Sequence, residues 1–205
     1  MLRQPDNHLD PLVLAEAAMV VYAPQRAVTR IAGSQQGCDM FGVLNLDKPI
    51  GWTSRDAVNR VARAIRPTKA GHAGTLDPLA TGVLLVCVGP ATKLIEPIHR
   101  MPKQYLATFL LGRRSASDDL ETDVEIDPDA PRPPKGMVEA MLSNFVGRIE
   151  QTPPAYSAVK LRGKRAYKMA RQGIEVQPPP RSVRVDSLSI VRYEYPELEL
   201  YVQCG

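Results

Sequence analysis

Between Gly71 and Gly82 the chain reads Gly-His-Ala-Gly-Thr-Leu-Asp-Pro-Leu-Ala-Thr-Gly, with one carboxylate, Asp77, and one imidazole, His72. Three glycines, a proline and several small side chains describe a tight loop between two packed elements. The residue before a proline is driven out of the helical region into extended backbone, so Asp77 would project from such a loop. A carboxylate held there can act as a nucleophile or stabilise a developing positive charge, as glycosidase carboxylates do. The same residues also suit an ordinary Asp-Pro turn, in which Asp77 only accepts backbone hydrogen bonds and His72 only packs.

Charge along the chain is segregated. From Gln151 to Ile174 there is no acidic residue, while Lys160, Arg162, Lys164, Arg165, Lys168 and Arg171 all fall there. From Ala116 to Pro131 there is no Lys or Arg, and seven carboxylates lie between Asp118 and Asp129. Such a pattern offers phosphates a local positive surface; a solvated helix face beside an acidic loop would produce it as well. The net charge of +4 and pI near 9.0 point in the same direction only weakly.

The elements that must position these residues are legible from pattern. Gly42–Leu46 reads as a strand closed by the Lys48-Pro49-Ile50-Gly51 turn. Thr53 can cap a helix with Asp56 in its first turn, and Ala57, Val58, Val61, Ala62 and Ile65 fall on one face until Pro67 stops it. Val83–Val88 is a continuous apolar run that suits a buried strand. Tyr105–Leu111 and Gly147–Gln151 read as extended, Met137–Phe145 and Ala166–Gln172 as helical, and Ser182–Tyr193 with Leu198–Cys204 as paired strands. Without a βαβ rhythm, the expected class is α+β, with a mixed, largely antiparallel sheet flanked by helices. Residues 1–39 carry one apolar, helix-compatible run (Leu12–Tyr22) and a Gly-Ser-Gln-Gln-Gly segment of linker composition. They are expected to be an extension, in part disordered, ahead of a globular domain over 40–205.

Composition excludes several classes. An apolar fraction of 44% and a charged fraction of 23% describe a globular chain. Cys38, Cys87 and Cys204 are isolated, with no C-x-x-C spacing, which argues against a zinc site or a disulfide framework and fits a reducing, cytoplasmic setting. No apolar run approaches the ~18 residues that span a bilayer, so no membrane partner is expected. A nucleotide-binding reading fails because there is no Walker loop or Gly-x-Gly-x-x-Gly, and Gly89-Pro-Ala-Thr-Lys93 has the wrong spacing.

The run Gly42-Val-Leu-Asn-Leu-Asp-Lys-Pro-Ile-Gly-Trp-Thr-Ser, followed by the Gly71–Gly82 loop, closely resembles the two N-terminal motifs of the TruB family of pseudouridine synthases. The resemblance continues through Ala91-Thr92-Lys93, Lys103-Gln104-Tyr105, Arg113–Asp119, Gln151–Lys160 and Ala170–Glu175. It implies the pseudouridine synthase fold and conversion of uridine 55 in the tRNA T-arm to pseudouridine. By it, Asp77 matches the family's catalytic aspartate and Tyr105 the tyrosine that stacks on the target base. Lys48 with Pro49 matches a structural Lys-Pro motif. His72 matches a histidine near the T-loop bases, and Asp119 an aspartate beside the site. The segment 151–180 resembles a thumb-like insertion that grips the RNA. The RNA-binding set implied is thus Lys48, His72, Lys93, Asp119, Lys160, Lys164, Arg165 and Lys168.

That chemistry fits the residue types. Breaking N1–C1′, rotating the uracil and joining C5 to C1′ is an isomerisation, so no cofactor and no metal is required. A carboxylate can attack either the sugar carbon or the base. A tyrosine offers a π face and a hydroxyl, and the target must be flipped out of a folded loop. The expected partner is the tRNA T-arm stem-loop, bound by a monomer. The family pattern also runs on into Gly-Thr-Tyr-x-Arg, whose arginine pairs with the aspartate, and then into a PUA-type region. A chain stopping at Gly205 is therefore expected to be a truncated piece with little or no activity. The competing readings are a T-arm binding or folding helper without catalysis, and the related guide-RNA branch that modifies ribosomal RNA.

Overall fold

The structure, a computed structural model, describes residues 18–22, 40–154, 159–161, 163–166, 169, 172–174, 176 and 178–205. In chain order the elements are β1 (Ala18–Tyr22), β2 (Gly42–Lys48), α1 (Ser54–Ala64), β3 (Ala70–His72) and β4 (Gly82–Val88). A 3₁₀ segment (Gly89–Leu94), α2 (Ile95–His99), β5 (Lys103–Leu110), β6 (Arg113–Ser115), β7 (Val124–Ile126) and α3 (Lys135–Leu142) follow. A second 3₁₀ turn (Ser143–Phe145) leads to β8 (Gly147–Gln151), β9 (Lys160–Leu161), β10 (Lys164–Arg165), β11 (Arg181–Glu194) and β12 (Glu197–Cys204). The expected α+β class holds. One sheet has the order β1-β5-β12-β11-β8 and another β2-β4-β3, with two small hairpins, β6-β7 and β9-β10. The run Leu12–Tyr22, helix-compatible in sequence, contributes a strand over 18–22; the rest of 1–39 lies outside the described residues.

The chain divides into two compact units. The first comprises 1–19, 108–184 and 188–200; the second comprises 20–107, 185–187 and 201–205.

In the second unit β4 is the middle strand, antiparallel to β2 and β3. Its continuous apolar sequence has a physical cause, because both its faces are covered. Leu84 and Val86 pack with Ala57 and Val58 of α1, while Cys87 packs with Ala73 and Ala91, alongside Leu85, Ile95 and Ile98. Helix α1 opens with a capping box: the Thr53 side chain accepts from the Asp56 N–H (3.1 Å) and Asp56 accepts from the Thr53 N–H (2.9 Å). The Thr53 hydroxyl also donates to Asp56 Oδ2 (2.6 Å), and this bond first, then that from the Thr53 N–H, holds the Asp56 carboxyl below its usual range. Gly71 lets α2 approach β3, since a Cβ there would sit 2.9 Å from Ile95 Cδ1.

In the first unit, β6 and β7 pair in antiparallel register with Arg114 opposite Glu125. Their ion pair (2.9 Å) is exposed on both sides and contributes about 1 kcal/mol or less. The 115–122 loop is organised by Asp119. Its Oδ1 accepts from Ser117 Oγ (2.5 Å) and the Glu121 N–H (2.8 Å), and its carbonyl accepts from Ser115 Oγ (2.6 Å). The acidic stretch is thus partly spent on local turns. Lys160 is the backbone partner of Arg165 in the antiparallel register of β9 and β10.

Candidate functional site

The loop between β3 and β4 is fastened at four points. The Ala73 N–H donates to Leu85 O (2.8 Å), extending the β3–β4 ladder by one rung. At Gly74, φ is +124°, a backbone region that favours glycine. Ser54, buried at the start of α1, accepts through Oγ from the Leu76 N–H (2.9 Å) and donates to Leu76 O (3.0 Å). The Ala80 N–H closes a turn onto Asp77 O (3.0 Å). Finally, Pro78 O receives the Gly51 N–H (2.8 Å) and Lys48 Nζ (3.4 Å). The Asp77 side chain is exposed, but its backbone is held on both sides by other elements. Such bracing lets one loop residue keep a fixed direction.

Lys48 is the centre of that bracing. Its side chain is fully buried, and Nζ also donates to Trp52 O (2.7 Å) and Pro49 O (3.0 Å). Burial lowers its pKa, and the negative charge of Asp77 acts in the opposite sense. Lys48, expected among the RNA-binding residues, has no exposed surface and turns its ammonium to three carbonyls. Its part is to tie the 49–52 turn to the Asp77 loop, as the structural Lys-Pro motif implies.

Tyr105 of β5 shares this unit. Its pKa is raised by burial first, then by the charges of Cys204 and Asp77, so the ring presents a neutral hydroxyl at physiological pH. Asp77 is therefore within electrostatic reach of both Lys48 and Tyr105, residues 57 apart in the sequence. Cys204 of β12 is raised by burial; Lys103 draws it down and Asp186 pushes it up. Cys204 and Asp186 join the cluster only through strand placement. A carboxylate inside the otherwise apolar-polar β11 run was the single sequence cue.

The remaining expected residues fall as follows. His72 ends β3, half-buried, with Nδ1 bonded to Gly74 O, which fixes the ring against the loop. Lys93 is exposed in the last turn of the first 3₁₀ segment. Asp119, Lys160, Lys164 and Arg165 belong to the other unit, and Lys168 lies outside the described residues. Among the described residues no group of three or more His, Cys, Asp or Glu side chains could hold a metal ion.

The Ser54 clamp carries a testable consequence. Ser54→Ala leaves both backbone groups of Leu76 without their partner and should cost about 1–3 kcal/mol, read as a lower urea midpoint at unchanged slope. A stability change below ~0.5 kcal/mol would show that the loop does not depend on this bond.

Known proteins resemble the chain over most of its length. Residues 62–205 match the family model described as TruB family pseudouridylate synthase (N terminal domain). The chain is 42% identical over 169 residues to tRNA pseudouridine synthase B of Trichormus variabilis, covering 81% of this chain and 57% of that protein. To the protein of the same name from Rhodopirellula baltica it is 44% identical over 171 residues, covering 80% and 49%. Among solved structures it resembles a chain of a Cbf5-Nop10-Gar1 complex, with TM-score 0.58 and 29% identity over 80% of this chain and 39% of that one. The chain spans about half the length of these two curated relatives. With well over half its residues under the family model, and with the braced aspartate loop inside the match, the chain belongs to the TruB family of pseudouridylate synthases.

Proposed function

We propose that the protein isomerises uridine to pseudouridine in tRNA, at uridine 55 of the T-arm, with Asp77 as nucleophile. The observation that carries this reading is the electrostatic coupling of a rigidly braced, solvent-facing Asp77 to Tyr105, in a chain above 40% identical to proteins named tRNA pseudouridine synthase B. The reaction breaks N1–C1′ and forms C5–C1′; C5 loses a proton and N1 gains one, so no atom is added or removed. Asp77 supplies the negative charge that the sugar or base needs when the glycosidic bond opens. The neutral Tyr105 gives the displaced base a π face and a hydroxyl.

In this reading residues 40–205 form the catalytic domain and 151–180 a basic thumb. Lys93, Lys160, Lys164, Arg165 and Lys168 would hold phosphates, which positions RNA without reading its bases. His72 and Asp119 would border the bound loop. The identities above favour a tRNA substrate, since the proteins named for tRNA match at 42% and 44% and the Cbf5 complex chain at 29%.

Deleting the gene should remove pseudouridine from the T-loop of cellular tRNA, read by nucleoside chromatography of T-arm fragments, and the intact gene should restore it. Full retention of T-loop pseudouridine in the deletion strain would overturn the proposal.

A further inference from the structure

We infer that the outward face of α1 is a second phosphate-binding surface, taking the stem backbone of the same RNA whose uridine reaches Asp77; this rests on the function proposed above. The buried stripe of α1, Ala57, Val58 and Val61, turns toward Leu84 and Val86. At 100° per residue, Asp56, Asn59 and Arg63 lie opposite that stripe with Arg55 and Arg60 on the two flanks, and the chain continues into Arg66 and Lys69. All five cations are exposed. None takes part in a salt bridge among the described residues. The one acidic residue on the helix, Asp56, is engaged in the Thr53 capping box.

Placement distinguishes this face from an ordinary solvated one. The first turn of α1 is bonded to the Asp77 loop itself, through Ser54 and both backbone groups of Leu76. Helix α1 therefore starts against the Asp77 loop, with Arg55 next to Ser54 in the chain, and runs for eleven residues, about 16 Å. A nucleotide presented to Asp77 brings its flanking backbone along that surface. A duplex carries one charge per roughly 1.7 Å of axis, so a helix of this length faces several phosphates. Arginine suits that task, because its guanidinium pairs with phosphate in a bidentate fork.

The test compares the full-length gene product with a variant carrying R55Q, R60Q, R63Q and R66Q. Binding of T-arm stem-loop RNA is measured across a salt series. The slope of log affinity against log salt should fall by about 3, at roughly 0.7–0.9 for each of the four lost phosphate contacts. Affinity near 0.1 M salt should fall roughly 100-fold or more. An Arg→Lys set at the same positions should keep the slope. The pairs R55Q/R66Q and R60Q/R63Q supply the same reading if the quadruple variant does not fold. An unchanged slope in folded variants, with normal wild-type binding, overturns this inference and leaves the proposed function standing. Wild-type protein that binds no T-arm RNA overturns both.

Discussion

Asp77→Asn should abolish conversion of uridine to pseudouridine in T-arm RNA while leaving the RNA bound. The substitution keeps size and hydrogen-bonding shape but removes the negative charge. The backbone of the loop is held by Ala73, Leu76, Pro78 and the Asp77–Ala80 turn, and the exposed Asp77 side chain fills no core space, so the fold should tolerate it. Losing a nucleophile costs on the order of 10⁴ or more in kcat. RNA affinity, dominated by phosphate contacts, should change by roughly threefold at most. Single-turnover assays paired with a binding isotherm separate the two. A kcat within tenfold of wild type would remove Asp77 from the chemistry and return it to the role of a turn residue.

The second large effect concerns Lys48, and here stability is the readout. Lys48→Met keeps the apolar stem and removes the ammonium. Pro49 O and Trp52 O then lose their Lys48 donor, whereas Pro78 O retains the Gly51 N–H. Leaving such groups unsatisfied costs about 2–4 kcal/mol in all, a large share of a stability of roughly 5–15 kcal/mol. Denaturant unfolding should show a lower midpoint with the slope unchanged. A phosphate-binding Lys48 would give the opposite pattern, with normal stability and a shallower salt dependence of RNA binding. That result would contradict the bracing role.

These two residues also differ in how far sequence alone reaches. Asp77 stands out as the lone carboxylate in a glycine-rich loop, a local property that suits an ordinary turn as well, and the family resemblance is what attached chemistry to it. Lys48 entered the expected RNA-binding set through that resemblance alone. Its burial is set by closure against Pro78, thirty residues away. Strand β4 and helix α1 were readable because one packs on both faces and the other carries a capped, single-sided stripe. Strand β3 is three residues long with glycine at its centre, and α2 is five residues around Pro97. Both are imposed by neighbours rather than by propensity. An apolar run such as 12–22 suits helix or strand equally on periodicity, and the sheet edge beside β5 is what takes residues 18–22. The arginines of α1 were present in the sequence, but their placement depends on the Ser54–Leu76 bonds that set the start of the helix against the Asp77 loop.

The most direct test of the central claim uses the full-length gene product and T-arm RNA tritiated at C5 of uridine 55 alone. Isomerisation replaces the C5–H bond with C5–C1′, so the account predicts release of one tritium per RNA into water, with one pseudouridine formed at that position. Retention of the label, or pseudouridine appearing at another position, would contradict it.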